Sequence, residues 1–364
     1  MELNMALCQQ LAHALLAYYD KHARSLPWRG ENDLYRIWIS EIMLQQTGVS
    51  AVEKYYPKFL SHFPDVQTLA QAPLQSLLLH WQGLGYYQRA HHLHRAAHYI
   101  IQEWQGILPE ERELWLKVPG VGPSTASAIL AIGRNQPHAI LDGNVKRVLA
   151  RFLALQESID GRSGQKILWQ AAARLTSKIR PGDYAQAIMD LGATVCTRTQ
   201  PRCDQCPWQM ACVACNAGNP SAYPLRNTKK AKPNKCEVAL LFYNSEDKFY
   251  FEQRSEKGLL ASLWQPCSLP WSADRARPDA ATIRSLVQES FAGHVEGAVE
   301  LLTPVEHLFT HFKLTVYPYR FRVHRLFERA PYCWLPQVEW AQLPMATLHQ
   351  KVMHSSLITK PLPG

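Results

Sequence analysis

Apolar residues recur at helical spacing over the first two thirds of the chain. The clearest case is residues 35–44, which are apolar on nearly every side and carry one carboxylate, Glu41, in their interior. Pro, Ser and Asp stand where such helices would begin, and Gly stands where they would end. The pattern predicts an all-α domain over residues 1–212.

The pattern changes twice farther along the chain. Between residues 213 and 235, Asn, Gly, Pro and Lys dominate, a composition that buries too little apolar surface to pack, so an interdomain linker is predicted. Beyond it, residues 236–255 consist of two β-rich runs around an Asn-Ser-Glu-Asp turn, and residues 313–326 alternate in the same way. An α+β domain is therefore predicted over residues 236–364.

Composition adds a class of partner and a compartment. The chain has 364 residues, 47% of them hydrophobic, and a formal net charge of +9 with a pI near 9.1. A basic surface suits a polyanion, because each Lys or Arg near a phosphate releases a condensed counterion on binding. No apolar run approaches the ~20 residues of a membrane span, and the first residues lack the plan of a signal peptide. We expect a cytoplasmic protein with no membrane partner.

Cysteine spacing predicts a metal or cluster site. Four of the nine cysteines, Cys196, Cys203, Cys206 and Cys212, follow the spacing C-x6-C-x2-C-x5-C. Four thiolates so close together can surround a zinc ion or hold an iron–sulfur cube, and the spacing alone does not choose between them. Cys215 is a spare or substitute ligand, whereas the remaining four cysteines are scattered and are read as buried thiols.

The segment 118–126, VPGVGPSTA, predicts a helix-hairpin-helix. Gly120 and Gly122 flank Val121, so a tight turn joins two helices, and the free N–H groups of that turn and of the next helix can hold a phosphate. The alternative is an ordinary interhelical turn, since this motif alone is only moderately specific.

A second motif, LDGNVKRV at 141–148, follows about twenty residues later. Asp142 or Asn144 caps a helix in the simplest interpretation, because both residue types are common there. The basic pair that follows, beginning with Lys146, and the hairpin that precedes it favour a carboxylate close to a bound DNA backbone.

Glu41 is the third chemical candidate. A carboxylate among apolar residues costs several kcal/mol when charged and unpaired, so its pKa should rise and the group becomes a general acid. The alternatives are an ion pair with Arg36 or another basic group, or exposure to solvent. Gln45, Gln46 and Thr47, just beyond, carry donors and acceptors suited to base edges, although surface glutamines are commoner.

Together, the hairpin, LDGNVKRV and the cysteine loop resemble the endonuclease III superfamily of base-excision glycosylases, over nearly the whole first domain. The resemblance implies a [4Fe-4S] cluster in the loop 196–212 and makes Asp142 the catalytic carboxylate. Lyases of that superfamily place a Lys where this chain has Ser124. Its loss implies a monofunctional glycosylase in which Ser124 assists and Asn144 holds the sugar or the water.

Three further segments, 26–29 (LPWR), 40–47 (SEIMLQQT) and 83–87 (GLGYY), resemble the MutY adenine glycosylases. The resemblance implies that Tyr86 wedges beside 8-oxoguanine and that Lys146 contacts phosphate, with occasional trapping of an abasic aldehyde. It also implies an adenine pocket formed by Arg24, Leu26, Trp28 and Arg29.

The C-terminal domain resembles the MutT-related, Nudix-like module of the same family. The metal box G-x5-E-x7-R-E-x2-E-E is missing, so a Nudix hydrolase is not expected. Phe309, Thr310 and His311 resemble the family's Phe-Ser-His loop for 8-oxoguanine, with Thr310 in place of Ser. The expected partner is double-stranded DNA with A opposite 8-oxoguanine or G, and the protein is expected to bind it as a monomer. Binding to DNA would place the protein at the nucleoid.

Overall fold

The computed structural model describes residues 3–228, 231–291, 295–323 and 331–357. The chain divides into two compact units, one formed by Met1–Gln71 and His92–Lys229 and the other by Ala72–His91 and Lys230–Gly364. No helix of the described residues is both long enough and apolar enough to cross a membrane.

The first unit is helical, as the apolar spacing predicts. Its helices, numbered along the chain together with α5, which lies in the second unit, are α1 Met5–His22, α2 Leu34–Leu44, α3 Val49–His62, α4 Val66–Gln71, α5 Leu74–Trp81, α6 Gln88–Trp104, α7 Arg112–Trp115, α8 Pro123–Arg134, α9 Gly143–Leu153, α10 Arg162–Leu175, α11 Pro181–Asp190 and α12 Val213–Asn216. A π-helical turn, Leu191–Val195, continues α11 toward the first cysteine of the loop.

Capping carboxylates set where the two helices of interest begin. The Asp33 side chain accepts hydrogen bonds from the first-turn amides of α2, and Asp142 does the same for α9. Helix α2 is buried around most of its circumference, including Trp38 and Ile39, which explains its nearly continuous apolar sequence. Glu41 is therefore fixed by a helix that is itself core.

The first part of the segment predicted as a linker packs against the helical unit. Helix α12 lies at its start with Ala214 fully buried, and farther on Tyr223 O accepts from Arg151 Nε (3.0 Å) and Leu225 O accepts from Ile159 N (3.0 Å). Polar segments pack when buried donors satisfy their carbonyls, which composition alone does not reveal. The helical unit therefore continues up to the end of the first described range.

The second unit is built on a mixed sheet with the strand order β3-β2-β1-β7-β5. Strand β4 pairs with β1, β6 with β7 and β8 with β2, and only the pairing of β1 with β7 is parallel among the described strands. The strands are β1 Asn234–Tyr243, β2 Phe249–Gln253, β3 Trp264–Gln265, β4 Cys267–Trp271, β5 Val295–Leu301, β6 Val305–Leu308, β7 Lys313–Val323 and β8 Tyr332–Leu335.

Alternation along β1 divides the core of this unit into two layers. Val238, Leu240 and Phe242 face helix α13 (Ala280–Phe291), whereas Ala239 and Leu241 face the layer that contains α14 (Thr347–Ser355). The sheet is thus covered by a helix on each face, and the predicted α+β class and Nudix-like fold are confirmed. The end of the predicted strand, 324–326, lies outside the described residues.

The segment Ala72–His91 belongs to the second unit, which the sequence analysis did not predict. Gln75 Nε2 donates to Ser262 O (2.9 Å), and Trp264 Nε1 donates to Gln75 Oε1 (3.0 Å). Gln82 Oε1 accepts from Met345 N (2.9 Å), whose carbonyl accepts from the Tyr87 hydroxyl (3.3 Å). Side-chain hydrogen bonds between residues far apart in sequence carry no local pattern by which to predict them.

Close packing of α11 on α8 gives a stability prediction. A Cβ at Gly182 would lie 2.6 Å from Ala131 O, a backbone atom that cannot move without shifting α8. We expect Gly182→Ala to lower the free energy of unfolding of the helical unit by about 1–3 kcal/mol, measured from its thermal transition by circular dichroism. Gly48→Ala is the control, because a Cβ there meets nothing within 4 Å; equal effects of the two changes would contradict this packing.

Candidate active site

Glu41 lies partly buried on α2, and its surroundings favour the protonated form. Its pKa is raised to about 7, with loss of solvent as the largest cause; the Asp142 carboxylate also raises it, and the Arg29 guanidinium lowers it. The alternative of an ion pair with Arg36 does not hold, because Arg36 Nη1 lies 3.3 Å from Glu31 Oε2. Near neutral pH, Glu41 therefore exists in both proton states, as an acid–base catalyst requires.

Asp142 fulfils both roles considered for it. Its Oδ1 accepts from Val145 N (2.7 Å) as the N-cap of α9, and its carboxylate also accepts from the Asn144 amide. Burial raises its pKa, and these backbone hydrogen bonds oppose that rise. Ser124 Oγ accepts from Leu141 N (3.0 Å), so the serine holds the peptide that leads into Asp142.

Two of the residues predicted to form an adenine pocket, Arg24 and Arg29, bind one buried carboxylate, Asp190, that was not predicted from the sequence. Arg24 Nε and Arg29 Nη2 both donate to Asp190 Oδ1, at 2.9 and 2.6 Å. Trp28 is buried edge-on against Tyr56, with ring centroids 5.7 Å apart, and Leu26 is half-buried. No local sequence pattern marks Asp190, which lies more than 160 residues from its partners.

The hairpin glycines adopt the backbone that the motif requires. Gly120 has a φ of +81°, Val121 N donates to Val118 O (3.1 Å), and Gly122 precedes α8 with no side chain capping its amides. Free amides at a helix start form an anion site. Lys146 lies in the first turn of α9 and its charge lowers the pKa of Asp142.

The glutamine segment after α2 is partly hydrogen-bonded and partly exposed. Gln45 Nε2 donates to Thr125 Oγ1 (3.2 Å), which ties this segment to the first turn of α8. Gln46 is exposed and has a φ of +61°, and Thr47 N donates to Leu44 O (3.4 Å). Left-handed backbone at a residue other than Gly costs about 1 kcal/mol and often marks a functional position.

The four predicted cysteines line one small cavity of about 30 Å³ together with Cys215. Burial is the largest cause that raises the pKa of Cys203 to about 11 and of Cys206 to about 12, and neighbouring thiols add to it. In the part of the chain that the structure describes, no three His, Cys, Asp or Glu side chains are close enough to hold one metal ion. The thiols surround a space without converging on a point.

Two arginines of α9 connect this cysteine loop to Asp142 and Asn144. Arg147 Nη2 donates to Asn144 Oδ1 (2.8 Å) and to Gly192 O (2.7 Å), while its Nε donates to Cys196 O (2.8 Å). Arg151 is almost fully buried, and its Nη1 donates to Cys196 Sγ (3.3 Å). The sequence signal for both was their spacing of four residues on a largely apolar helix.

In the second unit, the predicted recognition residues form the tip of the β6–β7 hairpin. Phe309 N donates to Phe312 O (2.9 Å) and the two rings stack with centroids 4.7 Å apart, so Thr310 and His311 project into solvent. Tyr86 is exposed, has a φ of +47°, and places its hydroxyl 3.4 Å from Thr310 Oγ1. These predicted residues therefore lie together.

Two family models match the chain in the same order as the two predicted domains. Residues 39–174 match the HhH-GPD superfamily of base excision DNA repair proteins, and residues 238–355 match the NUDIX domain. The adenine DNA glycosylase of Buchnera aphidicola is 36% identical over 251 residues, covering 69% of this chain and 71% of that protein. The chain belongs to the adenine DNA glycosylase family. The family belongs to the hydrolases of N-glycosyl bonds.

A plant relative carries the same family name, and a solved DNA glycosylase is similar in structure. The adenine DNA glycosylase of Arabidopsis thaliana is 34% identical over 360 residues, which cover 85% of this chain, and the chain spans only 56% of that protein's length. A thermostable thymine-DNA glycosylase is similar in structure, with a TM-score of 0.52, 27% identity and coverage of 58% of this chain and 97% of its own.

The raised pKa of Glu41 predicts a pH-dependent cost of stability. Its pKa is about 7 against an ordinary 4.5, so folding favours the protonated form, and that stabilisation is complete below pH 4.5 and lost as pH rises through 7. Glu41→Gln should therefore stabilise the helical unit by about 2–3 kcal/mol near pH 8 and by almost nothing near pH 4. Thermal unfolding at both pH values measures the difference. The exposed Glu53→Gln serves as control, and a pH-independent effect of Glu41→Gln would contradict the assignment.

Proposed function

We propose that this protein is a monofunctional DNA glycosylase that hydrolyses the N-glycosidic bond of adenine opposite 8-oxoguanine or guanine and leaves an abasic site. The observation that carries the proposal is the pair formed by Glu41, with a pKa of about 7, and the Asp142 carboxylate that raises it. Two carboxylates in different surroundings separate into a proton carrier and a charged group.

Glu41 supplies the proton that makes adenine a leaving group. A base in a duplex is out of reach, so adenine is first flipped out of the stack, at a cost of a few kcal/mol. Protonated Glu41 gives its proton to adenine N7 as the C1′–N9 bond breaks, and the bonding electron pair leaves with N9. The partly buried position of Glu41 on α2 supports this step, because it keeps the proton available at neutral pH.

Asp142 stabilises the positive charge that develops on the sugar. In this proposal its ionised oxygen faces C1′, as the second carboxylate of retaining glycosidases does. Asn144, held by Arg147, positions the sugar or the water. Water then adds its oxygen to C1′, and its proton passes to the Glu41 carboxylate, which restores the starting state.

The hydroxyl of Ser124 is the reason for proposing that the enzyme does not cleave the DNA strand. A lyase needs an amine at this position to form a Schiff base, and a hydroxyl cannot form one. The Ser124 hydroxyl is already an acceptor for Leu141 N (3.0 Å), which suits a role in positioning Asp142. Lys146, four residues beyond Asp142, is the amine that would trap an abasic aldehyde occasionally, and its main partner is phosphate.

DNA contacts are assigned to the hairpin and to the segment after α2. The uncapped amides that follow Gly122 suit a phosphate, and the positive φ of Gly120 turns the chain toward it. The exposed Gln46, with left-handed backbone, suits contact with base edges. Arg29 and Leu26 would meet the flipped adenine.

Recognition of 8-oxoguanine is assigned to Tyr86 and the hairpin tip. The hydroxyls of Tyr86 and Thr310 lie 3.4 Å apart, so one base can meet the ring of the first and the hydroxyl of the second. Lys232 Nζ donates to Phe309 O (2.8 Å), and Lys235 Nζ lies 4.6 Å from the centre of the Phe312 ring, which places positive charge beside the tip. Both features suit a lesion within a polyanion.

A [4Fe-4S] cluster is the group that the cysteine loop fits best. A tetrahedral zinc site places its sulfurs about 2.3 Å from the metal, whereas these thiols surround an apolar space without converging. Cys196, Cys203, Cys206 and Cys212 would hold the cluster, which supplies structural support for the loop. The donation from Arg151 Nη1 to Cys196 Sγ suits a thiolate ligand of such a cluster.

One set of duplexes tests the activity. We expect single-turnover adenine release opposite 8-oxoguanine and, more slowly, opposite G, with strand breaks only after hot alkali. Glu41→Gln and Asp142→Asn should each lower the rate by about 10²–10⁴-fold while DNA binding persists. Glu53→Gln on α3 is the matched control.

Three outcomes would contradict parts of this proposal. Normal adenine release by Glu41→Gln would remove the acid assignment. Strand nicking without alkali, or cleavage of a thymine glycol duplex, would show a lyase. Equal rates opposite 8-oxoguanine and G, unchanged in Thr310→Ala, would remove the recognition role of the hairpin tip.

The cluster has its own test. The purified protein should be brown, with broad visible absorbance and about four irons per chain, and Cys206→Ser should lose most of that iron. Cys236→Ser, at a cysteine of the second unit, should keep it. A colourless protein containing zinc after anaerobic preparation would overturn the assignment.

A further inference from the structure

Asp190 is a buried carboxylate to which the mechanism above gives no part. It ends α11, is only 4% exposed, and accepts on a single oxygen, Oδ1, from Arg24 Nε (2.9 Å), Arg24 Nη2 (2.5 Å) and Arg29 Nη2 (2.6 Å). The Arg24 amide lies 3.5 Å from Oδ2. One anion therefore holds two cations, and the cluster keeps a net positive charge.

The Arg29 guanidinium is fixed by two partners, and one of its three nitrogens has none among the described residues. Its Nη2 donates to Asp190 and its Nη1 donates to the Tyr19 hydroxyl (3.2 Å), while its Nε is buried without a partner among the described residues. A planar guanidinium held at both Nη atoms points its Nε–H in one direction. An unpaired buried donor is costly, so such a group is normally reserved for a ligand.

Arg29 is also the cation that acts on Glu41. Its charge lowers the pKa of Glu41, against the larger effects of burial and of the Asp142 carboxylate. The other groups around this cluster are Tyr19, whose pKa responds to Arg29, Asp190 and Asp183, and Lys146, which acts on Asp142. The proton affinity of Glu41 thus depends on how much of the Arg29 charge is neutralised nearby.

We propose that Asp190 is a positioning residue that anchors Arg29 and, by neutralising part of its charge, keeps Glu41 able to carry a proton in the neutral range. The inference rests on the proposed role of Glu41 as the acid. It also gives Arg24 a part, because Arg24 competes with Arg29 for the same carboxylate oxygen.

Neutralising Asp190 and neutralising Arg24 should move the pKa of Glu41 in opposite directions. With Asp190 neutral, both guanidiniums keep their full charge, and in a partly buried site such charges act strongly on Glu41. Ionised Glu41 is then favoured, so its pKa falls and the protonated enzyme is lost at lower pH. With Arg24 neutral, Asp190 is left to Arg29 alone, so the pKa of Glu41 rises.

The test is the pH profile of single-turnover adenine release between about pH 5 and about pH 9. In Asp190→Asn we expect the alkaline fall in rate to move down by about one pH unit, with a loss of about tenfold near pH 8 and little loss near pH 5. In Arg24→Gln the alkaline fall in rate should move to higher pH. Asp183→Asn is the control, because Asp183 lies on the same helix and pairs with Arg180 (2.7 Å) instead, and its profile should match the unmodified chain.

The outcomes separate the inference from the function on which it rests. If the unmodified chain releases no adenine, the proposed function is wrong. If it does, and Glu41→Gln does not, then an unmoved alkaline limb in Asp190→Asn, or an equal loss of rate at every pH, overturns the role of Asp190. If Asp190→Asn does not fold, Arg24→Gln decides alone, and a profile that stays in place or moves down overturns the inference.

Discussion

The hydrogen bonds of one buried arginine connect the parts of the helical unit that matter for its chemistry. Arg151 is 2% exposed and donates to the carbonyls of Thr197, Arg198 and Tyr223 as well as to the Cys196 thiol. A buried guanidinium is tolerated only when its donors are satisfied, so the cysteine loop must close on α9 for the helix to be buried. The same helix begins at Asp142. The shape of the cysteine loop and the position of the Asp142 carboxylate therefore both depend on α9.

The capping of α9 shows how one residue meets two demands. As the N-cap, Asp142 must accept backbone hydrogen bonds, and these favour its ionised form. In the proposed mechanism it must also be ionised to face a developing cation, although its burial disfavours that state. The hydrogen bonds that start the helix thus support the charge that the chemistry needs. Glu41, within α2, has no such capping role, and its raised pKa leaves it partly protonated near neutral pH.

The sequence predicted what is local and missed what is distant. The helical spacing, the hairpin glycines, the four cysteines and the Asn-Ser-Glu-Asp turn are patterns of neighbours, and the fold class and family follow from them. Asp190 carries no such pattern, because its partners lie many residues away and only the folded chain brings them together. The packing of the first part of the predicted linker escapes prediction for the same reason, since its carbonyls find their donors on α9 and at Ile159 N.

Tyr86 lies on the segment Ala72–His91, which belongs to the second unit. Its φ of +47° costs about 1 kcal/mol for a residue other than Gly, and such strain persists only when neighbours hold it. Gln82 and Tyr87, on either side of Tyr86, are both hydrogen-bonded to the backbone of Met345, just before α14. A loop that by sequence belongs to the glycosylase domain is thus anchored to the Nudix-like module on both sides of Tyr86. The module that carries Thr310 therefore also anchors the loop that carries the tyrosine beside it.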